Sequence, residues 1–197
     1  MKKLIPFLSL LLLLLATGCA GSYKAVSPPS LAYPGEQTNN GLTYAYQFNV
    51  LAEAGNKKYA KRELKNSVKV IAIKLENNTG RDLDFKRDID ILMGSEVVLP
   101  MEKEQIKQTL KQPAALHMLW SLLFLNINDD DGSTTTIPIG VGIGLGNTLV
   151  ASGANKNLLS ELTNYDILNN VIRDGETVYG LIGISTNITA PIELRLK

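Results

Sequence analysis

The chain has 197 residues, with 20 basic and 19 acidic side chains, one histidine and one cysteine. So even a balance gives no electrostatic reason to expect nucleic acid or an anionic surface as partner. A single cysteine excludes an intrachain disulfide and a paired-thiol redox motif, and with a single histidine it leaves too few soft ligands for zinc.

Lys2 and Lys3 open the sequence, an apolar stretch runs from Leu4 to Leu15, and Ala16-Thr17-Gly18-Cys19 follows. At about a dozen residues the stretch is shorter than the roughly 18–20 needed to cross a bilayer, and small residues before the cysteine suit a peptidase. An uncleaved membrane helix is the competing reading. The run resembles the signal of a bacterial lipoprotein of Bacteroidetes type. The resemblance implies that residues 1–18 are a leader and that Cys19 is the lipidation site, with a diacylglycerol (palmitate-type chains) on its sulfur and a further chain on the new N-terminus. Each buried methylene contributes about 0.8 kcal/mol, so two or three chains hold firmly and the folded part is expected to need no membrane-binding face of its own. Loss of residues 1–18 removes two lysines and no acid, leaving a formal charge of −1. Ala20, rather than Asp, after the cysteine resembles the outer-membrane pattern. A periplasm-facing outer-membrane lipoprotein is therefore expected, ahead of a surface-exposed one.

Residues 19–41, rich in Ser, Pro, Gly and Asn, read as the lipidated cysteine and a flexible tether. Residues 42–51 alternate, with Leu42, Tyr44, Tyr46, Phe48 and Val50 on one face, which predicts a half-buried strand. Residues 53–66 read as a short solvated helix or an irregular connection, with Lys57, Lys58, Lys61 and Arg62 as solvated surface rather than a basic site. Val68–Glu76 is the clearest central strand, and Asn77-Asn78-Thr79-Gly80 a turn. Leu83 with Phe85, Ile89 to Met93, and Val97 to Leu99 predict three short strands. Asn77-Asn78-Thr79 and Asn187-Ile188-Thr189 match a glycosylation motif that carries little meaning in a bacterial lipoprotein.

From residue 101 the pattern turns helical. Met101–Lys111 is amphipathic through Ile106 and Leu110. Ala114–Leu125, apolar almost all round, predicts a buried helix too short to span a membrane. Asn126–Thr136 reads as a polar loop. Gly140, Gly142, Gly144 and Gly146 alternate with apolar residues, and Asn147–Leu168 predicts a helix with Leu158, Leu159, Leu162 and Tyr165 on one face. Asp174-Gly175 marks a turn. Val178, Gly180, Ile182 and Ile184 then share one strand face, and Ile192, Leu194 and Leu196 alternate in a last strand.

Strands, a helical block and strands again predict one mainly β domain over 42–197 with a helical insertion at 101–168. VKVIAIKLENNTGRDLDF, DGETVYGLIGI and IELRL resemble the strand pattern of immunoglobulin-like domains in bacterial extracytoplasmic lipoproteins. That likeness implies an antiparallel β-sandwich and carries no catalytic residues with it.

Each chemical candidate has a plainer counterpart. His117, on the apolar helix, lacks a nucleophile elbow in the sequence and reads as a locally hydrogen-bonded side chain. Asn126–Gly132 offers oxygen ligands, but Asp131 or Pro138 falls where a calcium loop needs Gly or Glu, so a solvated loop tip is expected. The glycines at 140–146 lack phosphate-loop spacing and read as close packing. The apolar block 113–125 with 137–150 is either a helical pair capping the sandwich or a hydrophobic surface for a partner. The expectation is a non-enzymatic, lipid-anchored interaction module without cofactor or metal, with an envelope protein as its partner besides the membrane. A carrier of a small apolar ligand or lipid is the alternative, and an envelope hydrolase the least favoured reading.

Overall fold

The computed structural model describes residues 19–128 and 132–197. These form two compact units. The first holds residues 19–22 with Gln112–Ala154, and the second holds Tyr23–Lys111 with Asn155–Lys197. The expected leader, 1–18, and the acidic run Asp129–Asp131 lie outside the described residues.

In the second unit a 3-10 turn at Pro28–Ser30 precedes β1 (Gln37–Asn39), β2 (Leu42–Gln47), α1 (Val50–Glu53), α2 (Lys57–Asn66) and β3 (Val68–Asn77). After these come β4 (Leu83–Asp84), α3 (Phe85–Asp88), β5 (Ile89–Met93), β6 (Glu96–Val98), β7 (Pro100–Met101) and α4 (Lys103–Leu110). The first unit contributes α5 (Ala114–His117), a 3-10 segment at Met118–Leu122, β8 (Leu125–Asn128) and β9 (Thr134–Ile137). Helix α6 (Gly140–Asn164) begins in the first unit and ends in the second, followed by β10 (Val171–Ile172), β11 (Thr177–Ser185) and β12 (Ile192–Leu196). Helix and strand take similar shares, 36% and 31%, so the mainly β expectation gives way to a mixed fold of antiparallel sheets and helices.

Strand β3 organises the second unit. It lies between β2 and β11 in a five-stranded antiparallel sheet ordered β1-β2-β3-β11-β7. Its alternation puts Ile71, Ile73 and Leu75 on one face, where they join Leu42, Tyr44, Ile182 and Ile184 in a dry core. Strands β12-β5-β6 form a second antiparallel sheet, and Ile89, Ile91, Ile192 and Leu194 enter the same core. Leu83 and Ile172, from the short β4–β10 pair, join it too.

The opposite face of β3 and β11 carries Val70, Ala72, Leu181 and Gly183, and helices α2 and α4 cover it. The two glycines of β11 mark both contacts. A Cβ on Gly180 would lie 2.6 Å from Ile167 on the core face, and one on Gly183 would lie 2.6 Å from Ile106 of α4. Each side chain is absent because a branched neighbour occupies its place.

The expected tether is largely built into the second unit. Val26 and Pro28 are buried, β1 pairs with β2, and the Tyr33 ring lies 6.2 Å from that of Tyr179. Of the stretch 53–66, expected as a short solvated helix or an irregular connection, Lys57–Asn66 is the helix α2, but with Tyr59 and Glu63 buried rather than solvated. The 83–85 region makes only two residues of strand before α3, because the Asp84 carboxylate accepts from the Arg87 N–H and caps a helical turn.

The first unit departs further from expectation. Ala114–Leu125 is one helical turn and a 3-10 segment, not a buried helix, and Leu116, Leu119, Leu122 and Phe124 are exposed. The polar loop is part of a hairpin, with Leu125 opposite Ile137 and Asn128 opposite Thr134. The glycine ladder forms the opening turns of α6. Gly140 and Gly144, four residues apart, face the 3-10 segment, and a Cβ on Gly144 would lie 2.9 Å from the Ser121 nitrogen. A Cβ on Gly140 would overlap the Trp120 carbonyl. Glycine costs about 1 kcal/mol in a helix, and close backbone packing offsets it here.

Candidate functional site

Cys19 is exposed and belongs to the first unit. The residues after it are held by that unit's side chains. The Ala20 N–H donates to Asn147 Oδ1 at 3.0 Å, and the Gly21 N–H donates to Gln112 Oε1 at 2.9 Å. Gln112 Nε2 returns a bond to the Gly21 carbonyl at 2.6 Å, and Gln112 is buried. A paired amide of this kind acts as one more rung of strand for a chain that has no strand partner.

The second unit fixes the chain again from Tyr23. The Lys24 N–H donates to Asn56 Oδ1 at 2.8 Å, and Asn56 Nδ2 donates to the Lys24 carbonyl at 2.7 Å. Glu161, buried on α6, accepts at Oε1 from the N–H groups of Val26 and Ser27, both at 2.8 Å. Successive N–H groups of this sort make an anion-binding concavity, and a carboxylate of the chain itself fills it. The Tyr23 hydroxyl donates to the other oxygen, Oε2. Burial, then that hydrogen bond and the charge behind it, push the Tyr23 phenol far up, so it stays a donor. Along the sequence only Ala20, Gly21 and Ser22 separate Cys19 from Tyr23.

Beside the clamp the Tyr23 ring meets Tyr59 edge-on at 5.5 Å, and the Tyr59 hydroxyl donates to Asn155 Oδ1 at 3.0 Å. Glu63, one turn along α2, accepts from the Val70 N–H at 2.7 Å. Burial pushes its carboxyl up to about 7, against the pull of that N–H and of Lys69. An open cleft of ≈ 410 Å3 lies along Tyr23, Ser27, Asn157, Ser160, Glu161 and Tyr165. A second, more apolar groove of ≈ 290 Å3 is lined by Phe85, Ile89, Val97, Leu99 and Pro100, with Lys86, Glu102 and Lys197 at its rim.

Of the residues singled out in the sequence, His117 is buried at the end of α5, and its carbonyl would lie 3.1 Å from a Cβ on Gly144. Among the described residues no group of three or more His, Cys, Asp and Glu side chains is placed to hold a metal ion. Composition and spacing missed Glu161, Glu63 and Asn56. One signal for Glu161 exists: it shares a helical face with Leu158, Leu162 and Tyr165, so it is the charge on a side meant for burial.

No protein-family model, curated protein or solved structure matches the chain.

Proposed function

We propose that this chain is a lipid-anchored, non-enzymatic module of the bacterial envelope, acylated at Cys19 and holding an interaction domain against the membrane. The basic start, the apolar Leu4–Leu15 and the small residues leading to Cys19 carry this reading. An exposed Cys19, separated from the clamped segment by three residues, supports it. Ala20 favours the outer membrane, with the domain facing the periplasm. Within the second unit the finer fold reading is an immunoglobulin-like sandwich, supported by one core shared between the five-stranded and three-stranded antiparallel sheets.

The non-enzymatic reading is supported by where the candidate groups lie. Glu161 commits its oxygens to Val26, Ser27 and Tyr23, and His117 is buried. An envelope protein is the proposed partner of the sheet domain. The apolar side chains of the insertion favour the carrier reading as an alternative, for which lipid would co-purify with the protein.

Metabolic labelling with palmitate tests the anchor. Label is expected in the wild-type protein and is lost in Cys19→Ala. A wild-type product that fractionates away from membranes without label would overturn the proposal. Affinity capture from envelope extracts is expected to enrich one protein, and background alone would remove the interaction role.

A further inference from the structure

Eighteen large apolar side chains are exposed among the described residues, and thirteen of them lie between Leu116 and Val150 of the first unit. From Gln112 to Asn155 the sequence has no Lys, Arg or Glu, and its only charges are the consecutive Asp129, Asp130 and Asp131. A water-facing surface of that length normally carries both signs of charge.

Helix α6 sharpens the contrast. On its first half Val141, Leu145 and Leu149 follow one another at four-residue steps and are all exposed, while Gly140 and Gly144 take the packed side. From Lys156 onward its exposed positions are Lys156, Asn157, Ser160, Thr163 and Asn164, and Leu158 and Leu162 are buried. The same helix thus has an apolar free face over one stretch and a polar free face over the next. Amphipathic patterning in water gives only the second.

We propose that the first unit is a membrane-docking element that sits in the lipid surface, with Leu122, Leu145 and Leu149 among the acyl chains. Three observations argue for lipid contact at the membrane interface. Among the described residues from Gln112 to Ala154 there is no Lys, Arg, Asp or Glu side chain, as the hydrocarbon boundary demands. No helix among the described residues is long and apolar enough to cross a membrane, so the unit lies in the interface rather than through it. And the backbone directly after Cys19 is hydrogen-bonded to Gln112 and Asn147 of this same unit, so acyl chains on that sulfur enter the bilayer beside it. The last point rests on the acylation reading, whereas the first two stand without it. Lipid contact here differs from the sequence-based expectation that the anchor would suffice alone.

The experiment uses the full chain reconstituted in vesicles of phosphatidylethanolamine and phosphatidylglycerol, with a nitroxide placed at Leu122, Leu149 or, as control, Asn157, in a Cys19→Ser background and in the acylated one. Oxygen, enriched in lipid, is expected to reach the first two probes several-fold better than a water-soluble nickel complex does, and the order reverses at Asn157. Equal access of nickel at all three sites overturns the proposal. Shielding of Leu122 and Leu149 from both reagents also overturns it, in favour of a second copy of the chain. The intact mass reports acylation of Cys19 separately, so an unacylated protein with lipid-exposed probes refutes the anchor and keeps the docking element. Without basic residues in the unit, replacing the anionic lipid by phosphatidylcholine is expected to leave the pattern unchanged. Leu122→Asp and Leu149→Asp are each expected to weaken vesicle binding of the Cys19→Ser protein about tenfold. Unchanged binding in both variants overturns the role of this face.

Discussion

The two units solve the problem of apolar side chains in opposite ways. In the second, alternation along β3 and β11 sends Ile71, Ile73, Ile182 and Ile184 into one core, and the buried Asn77 beside it donates to the Ile172 carbonyl across 95 residues. In the first, apolar side chains of similar size stay outside, and the packed contacts are backbone on backbone, through Gly140 and Gly144. The difference teaches that apolar content is not a measure of core. What decides burial is whether the chain offers a second layer to bury against, and between residues 112 and 154 it offers a helical turn, a 3-10 segment, a two-stranded hairpin and part of a helix.

The largest effect is expected where the second unit is tightest. Ile73→Ala opens a cavity at a fully buried position between the two sheets and is expected to cost about 4 kcal/mol, read from urea unfolding. A loss below about 1 kcal/mol would mean that the two sheets do not share a close-packed core. Next is Glu161→Ala, which leaves the N–H groups of Val26 and Ser27 and the Tyr23 hydroxyl without their acceptor. About 3 kcal/mol is expected, together with fast amide exchange confined to residues near Val26. Unchanged exchange there would show that the clamp does not hold the N-terminal segment.

Glu63 gives a smaller effect with a sign that can be checked. Its carboxyl titrates near 7 in the folded protein and near 4.5 when unfolded, so the folded state holds the proton more tightly. That contribution to stability is complete below about pH 4.5, falls as pH rises toward 7, and is gone above it. Glu63→Gln keeps an oxygen for the Val70 N–H and removes the buried charge. It is expected to raise stability at pH 8 by about 2 kcal/mol and to leave pH 4 nearly unchanged, read from thermal melts across that range. An equal shift at both pH values would trace the effect to packing.

The second unit's strands were readable because period two survives in the sequence: Ile71, Ile73 and Leu75 need no partner to declare their face. Ile106 and Leu110 declared α4 in the same way. Three things were hidden, each for a physical reason. Glu161 meets Val26 across 135 residues, and no local pattern encodes such a partner. The segment 19–41 has the composition of a linker, yet a few side chains, Val26 and Pro28 among them, suffice to fix it. Ala114–Leu125 is apolar in every direction, and a continuous apolar run carries no information about which side is covered.

The smallest stability effect is the most telling. Leu149 is 73% exposed and Leu122 68%, so in water neither side chain has apolar contacts of consequence to lose. Leu122→Ser and Leu149→Ser are therefore expected to change the unfolding free energy by about 0.5 kcal/mol or less, an eighth of the Ile73→Ala effect for a comparable loss of apolar volume. Helix propensity works slightly against Ser at Leu149, which sets a floor of a few tenths of a kcal/mol. If either variant loses as much as Ile73→Ala does, these leucines are core after all, and the contrast between the units disappears. If both stay near zero, each leucine remains in water at a cost of about 1.5–3 kcal/mol relative to an apolar surrounding. A surface that keeps that free energy unspent in solution holds it in reserve for whatever apolar phase it meets.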